Sequence, residues 1–106
     1  GGSIMHKERF TYTNLSAKGV VSTCPAVLGG MILICKTTAG VTAFAYDATA
    51  TATGTVVLGG GITASTNGVV SIIAPGDGIV CRTGIYLSAP TCTTAADQVI
   101  VFYRTL

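Results

Sequence analysis

The sequence predicts an all-β protein: a single-domain antiparallel β-sandwich, jelly-roll-like, with about eight short strands. Three observations carry that expectation. Apolar residues fill 49% of the 106 positions but come in short Val/Ile/Thr/Tyr bursts, and bursts bounded by Gly, Pro and Asp are the punctuation of strands and turns. No window of helical length carries apolar residues at i, i+3, i+4 and i+7, so the helical period is missing. Charged residues are only 9% of the chain, against about a quarter in an average soluble domain, so Thr, Ser, Ala and Gly must supply most of the surface.

The elements follow in order. Gly1 to Ile4 precede Met5 and read as a cloning remnant, so residues 5–16 form an N-terminal arm with the first strand and residues 17–106 the sandwich body. Phe10 and Tyr12 alternate with Thr11 and Thr13, which predicts a strand from Lys7 to Asn14 with both rings on one face. Ala17 to Thr23 is a second, short candidate. Met31 to Lys36 is apolar on both faces and reads as a buried strand, after which Thr38-Ala39-Gly40 turns the chain. Val41 to Tyr46 alternates cleanly up to Asp47; the Ala/Thr run from Ala48 to Gly54 then makes a loop.

Thr55 to Leu58 restarts a strand that should break at Gly59-Gly60-Gly61, with Leu58 to Gly68 a flexible connection. Val69 to Ile73 is closed by Pro75-Gly76-Asp77-Gly78, a dense turn signal. Ile79 to Arg82 and Ile85 to Ser88 are separated by Thr83-Gly84. That spacing suits a tight hairpin or one strand with a bulge at Gly84. Gln98 to Arg104 closes the fold, with Val99, Val101 and Tyr103 on one face and Ile100 and Phe102 on the other.

Composition narrows the function classes. The net charge is +2, and the six basic residues form no run that could track phosphates, so nucleic acid is not an expected partner. The longest apolar stretch, Cys24 to Cys35, holds a Pro and a Gly pair and falls short of the roughly 20 residues of a membrane-spanning helix. No membrane partner is expected.

Candidate chemistry is sparse. Cys24, Cys35, Cys81 and Cys92 form two pairs of equal spacing and are read as either two disulfides, with three possible connectivities, or buried thiols. No C-x-x-C occurs and His6 is the single histidine, so no metal, cofactor or catalytic residue is assigned. Asp77 reads as a turn residue, and Leu58 to Gly68 lacks the Gly-Lys-Ser/Thr ending of a phosphate loop. The chain is expected not to be an enzyme. The one charge cluster, around His6, Lys7 and Arg9, leads into Phe10 and Tyr12; these five residues are the candidate docking arm, with the two rings as anchors.

Two stretches, MILICKTTAGVTAFAYDATATATGTVVLGG and PGDGIVCRTGIYLSAPTCTTAADQVIVFYR, resemble small β-sandwich virion proteins of tailed bacteriophages. The resemblance rests on Tyr46-Asp47, on Gly84-Ile85-Tyr86-Leu87 and on Tyr103-Arg104. It implies a capsid decoration (cement) protein, or a head-fibre or tail-surface domain, often trimeric, on the virion surface and bound to a major capsid protein. The four cysteines depart from that group. Independently, a low-charge Thr-rich β-domain is most easily protected from edge-to-edge aggregation by closed association with its own copies. The competing expectation is a receptor- or glycan-binding module of a tail fibre or bacterial adhesin, for which exposed aromatic rings would be the mark.

Overall fold

The computed structural model describes residues 10–36, 40–50, 55–62, 68–88 and 98–106. They form nine strands: β1 (Thr11–Leu15), β2 (Gly19–Ser22), β3 (Ala26–Cys35), β4 (Val41–Tyr46), β5 (Val56–Ile62), β6 (Gly68–Ile73), β7 (Ile79–Cys81), β8 (Ile85–Ser88) and β9 (Gln98–Thr105). Two antiparallel sheets result, one of order β1-β9-β3-β6 with β7 also paired to β3, the other of order β2-β8-β4-β5. The order has a simple origin. A ribbon of β1 and β2 paired with β9 and β8 lies beside a ribbon of β3 and β4 paired with β6 and β5, and both ribbons bend from one sheet into the other. That wrap is the jelly roll.

Alternation fills the space between the sheets. Leu28, Met31, Leu33, Val99 and Val101 from the larger sheet meet Val41, Ala43, Ala45, Ile85 and Leu87 from the smaller one, all at most 1% exposed. Each fully buried aliphatic side chain of this kind contributes roughly 1.5–3 kcal/mol, so the core sits between the sheets and the outer faces add little to it.

The central strand β3 is longer than the predicted Met31–Lys36 and runs through the Gly pair. Its register to β9 slips between Leu28 and Gly30, a bulge that changes the parity of the strand. Ala26 and Leu28 therefore face the core before the bulge, and Met31, Leu33 and Cys35 after it, leaving Ile32 and Ile34 half-buried on the outer face. On the other side of β3 the partner breaks at the same level: β6 ends opposite Gly30 and β7 begins opposite Leu28. The excursion between them holds the predicted turn, closed by the Gly78 amide donating to the Pro75 carbonyl at 3.1 Å. Gly76 at φ +58° takes the first central position, where the type II′ turn needs a positive φ.

Two expectations are corrected. Gly59-Gly60-Gly61 does not break β5, which continues to Ile62, because large side chains of neighbouring strands take the space over the glycines. The Phe44 ring lies on Gly59, and a Cβ on Gly60 would stand 2.9 Å from Ile72 Cδ1. Nor do β7 and β8 form a hairpin or one bulged strand. β7 pairs with β3 in the larger sheet and β8 with β2 and β4 in the smaller one, so residues 82–84 carry the chain from one sheet to the other.

Asp47 holds that crossing. Its carboxylate accepts the amides of Thr83 (2.8 Å), Arg82 (3.1 Å) and Gly84 (3.3 Å). Partial burial alone would raise its pKa. The three amides and the Arg82 charge outweigh it and hold the carboxyl below its ordinary value near 3.8. A depressed carboxylate stabilises the fold above the unfolded pKa and stops doing so as pH falls through the folded one.

Asp47→Ala is expected to lower stability at pH 7 by about 1 kcal/mol, the small value reflecting a solvent-open site, and to cost progressively less below pH 4; urea titrations at pH 7 and pH 3 measure both. Gly30→Ala should cost about 2–3 kcal/mol, since Gly30 has φ +154° and a Cβ would meet the Ile72 carbonyl oxygen at 2.6 Å. Gly76→Ala, with open space around it, should cost only about 1 kcal/mol in the same assay.

Candidate functional site

The described charges lie at the perimeter of the sandwich. Lys18, Lys36, Asp47, Asp77 and Arg82 all fall between strands, and among the described residues Arg104 alone lies within one. Both sheet faces that look outward are thus nearly uncharged. On the larger sheet the outward residues are also strongly apolar, because β3 and β9 carry apolar residues on both parities. Exposure there is high: Ile73 is 80% exposed, Val69 66%, Tyr12 65% and Val80 51%. Contiguous exposed apolar area of this kind marks an interaction surface more often than an ordinary one.

At the centre of this face lies a groove of about 550 Å³. It follows from register. Tyr12 pairs with Phe102, Phe102 with Gly30 and Gly30 with Ile73, so one cross-strand row runs ring, ring, glycine, isoleucine. The glycine contributes no side chain, and a trough opens between Phe102 and Ile73. Tyr12 and Phe102 pack with their ring centroids 6.3 Å apart. Among the described residues, two charges rim the trough. Arg104 stands on the β9 side with its guanidinium 5.7 Å from the centre of the Phe10 ring, a cation–π distance. Asp77 stands on the other side, in the turn after β6.

The sequence-predicted residues fall as follows. His6, Lys7 and Arg9 lie outside the described residues. Phe10 and Tyr12 belong to the protein's own sheet surface: Tyr12 lies in β1 against β9, and the Phe10 ring covers Gly29 so closely that a Cβ there would be 2.8 Å away. Ile73, Phe102 and Arg104, which complete the face, are not among the docking residues that the sequence predicts. The signal for Phe102 was present, since Ile100 and Phe102 occupy the second face of an already apolar strand.

Cys92 lies outside the described residues, and the other three cysteines are separated. Cys24 is exposed just before β3, Cys35 is buried at the far end of β3, and Cys81 is buried opposite Ala26 at the near end. The ten-residue strand spans about 30 Å at roughly 3.3 Å per residue, whereas a disulfide needs Cα atoms within about 7 Å. Cys24–Cys35 and Cys35–Cys81 pairings are thereby excluded, and Cys24 and Cys81 carry free thiols. Burial, and next the nearby Asp47 charge, push the Cys81 thiol up to about 11. It stays protonated at neutral pH and donates weakly to the Ile79 carbonyl at 3.8 Å. Among the described residues no group of three or more His, Cys, Asp or Glu is placed to hold a metal ion.

Fold and site together define a jelly-roll β-sandwich with a grooved, largely apolar face rimmed by Arg104 and Asp77. Compared with family models, curated proteins and solved structures, the chain matches none.

Brief maleimide labelling at pH 7.5, mapped by peptide mass, is expected to modify Cys24 within minutes. Cys35 and Cys81 should be labelled only after unfolding, since burial and, for Cys81, a low thiolate fraction both slow attack.

Proposed function

We propose that this chain is a non-enzymatic structural protein of a phage virion, a capsid decoration module that assembles with its own copies and binds the finished shell. The single observation that carries the reading is the apolar outer face of the larger sheet, on which the charges among the described residues are Arg104 and Asp77 at the groove rim. Such a surface is stable in water only when covered. Two further points support it. The jelly roll is an architecture used by viral capsid and lectin domains, which by itself is analogy of fold. The sequence resemblance to small phage virion proteins points the same way.

The mechanism is linkage. A protein that binds only the assembled shell, across several subunits, lowers the free energy of the assembled state and raises the temperature at which the shell comes apart. The carbohydrate-binding alternative has its mark in the exposed rings of Tyr12, Phe10 and Phe44; it ranks second because a sugar also needs several convergent polar groups, and the described lining of the groove supplies only Ser71, Asp77 and Arg104 as polar side chains.

The purified chain should co-sediment with emptied heads of the phage that encodes it at saturable stoichiometry and raise their disruption temperature by several degrees. Failure to co-sediment would overturn the virion reading. Saturable binding to a glycan array without binding to heads would replace it with carbohydrate recognition.

A further inference from the structure

We infer that the outer face of the five-stranded sheet is the contact between two copies of this chain, related by a twofold axis running parallel to β3 above the groove. The inference rests on the self-association part of the reading above and not on the phage head.

Size is the first argument. β3 runs about 30 Å at roughly 3.3 Å per residue, and four strands side by side at about 4.8 Å give the face a width of about 20 Å, so the corrugated face approaches the roughly 800 Å² per partner of a standard stable interface. Face-to-face stacking of sheets with their strands roughly aligned is an ordinary solution for such surfaces.

Self-complementarity is the second argument. A twofold parallel to β3 exchanges the β9 side of one face with the β6 side of the other. Ile73 and Phe102 stand at one level of β3, both opposite Gly30. The axis therefore sets the 80%-exposed Ile73 of one copy over Phe102 and the trough of the other, twice. Arg104 pairs with Val27 on one side of β3, and Asp77 belongs to the excursion that leaves β3 between Gly30 and Leu28 on the other. The same axis turns the Arg104 of each copy toward the Asp77 of its mate. Arg104 and Asp77, the cation and the anion among the described residues at the groove rim, thus neutralise each other across the contact, as an isologous interface requires. Phe10, stacked beneath Arg104, keeps that guanidinium at the rim and out of the trough. The assembly is even-numbered, in contrast to the trimer that the sequence resemblance implies.

Sedimentation equilibrium between about 1 and 100 μM tests the pairing, with circular dichroism as a check of fold. The wild-type chain should sediment as a dimer or a multiple of it. Ile73→Asp, at a site so exposed that the monomer tolerates it, should weaken association at least about 100-fold, because each copy would then bury an unpaired charge. Arg104→Asp and Asp77→Arg should each weaken it about tenfold, and the double variant, which restores opposite charges, should recover to within about threefold. A wild-type monomer at 100 μM, a trimer, an Ile73→Asp variant that associates normally, or disruption by Phe44→Asp on the other sheet but not by Ile73→Asp would each overturn the inference. A dimer that does not bind heads would refute only the virion reading, and a monomer that does bind them would refute only the pairing.

Discussion

The bulge at Gly29 and Gly30 is the constraint on which the larger sheet depends. β3 has partners on both sides over nearly its whole length, β9 on one and β6 with β7 on the other, so a change in its parity must be matched by both neighbours. β9 matches it with a register slip, and β6 and β7 match it by parting around a tight turn. Without the slip, the glycine and not Met31 would face the core, and Leu33 and Cys35 would face outward with it. The same two glycines leave the trough on the outer face. Core packing and surface shape are therefore consequences of one local irregularity, and a side chain at Gly30 would disturb both.

Much of the fold was legible in the chain because alternation is a local signal. Val41 to Tyr46 and Gln98 to Arg104 coincide with β4 and nearly all of β9, each revealed by side chains that differ from residue to residue. Misreadings arose where the deciding partner lay far away. The glycines of β5 resemble a break until Phe44 and Ile72 are placed above them. Thr83-Gly84 resembles a hairpin turn until Asp47, some 35 residues upstream, is seen to bind the amides there. The same limit applies to the candidate face. Phe10 and Tyr12 could be picked out as anchors, but the row from Tyr12 through Phe102 to Ile73 exists only once three strand registers are known.

The distribution of charge divides labour within the molecule. Ionic groups are spent at corners, where Asp47 fastens the crossing between the sheets. The broad faces are left to shape and apolar contact. Cysteine follows the same economy: Cys35 and Cys81 serve as small core residues, and burial and the neighbouring carboxylate keep the Cys81 thiol protonated. Nothing in the packing of the described strands depends on a cross-link between them.

The position of β9 also bears on how the chain reaches its fold. It lies between β1 and β3, so the larger sheet cannot close until β9 has left the ribosome. Until then β1 has no neighbour and β3 shows one unpaired edge along ten apolar or glycine residues. Pairing over nearly the whole length of a chain is slow, and unpaired apolar edges recruit one another. A nascent chain of this topology therefore passes through its most adhesive stage before β9 has emerged.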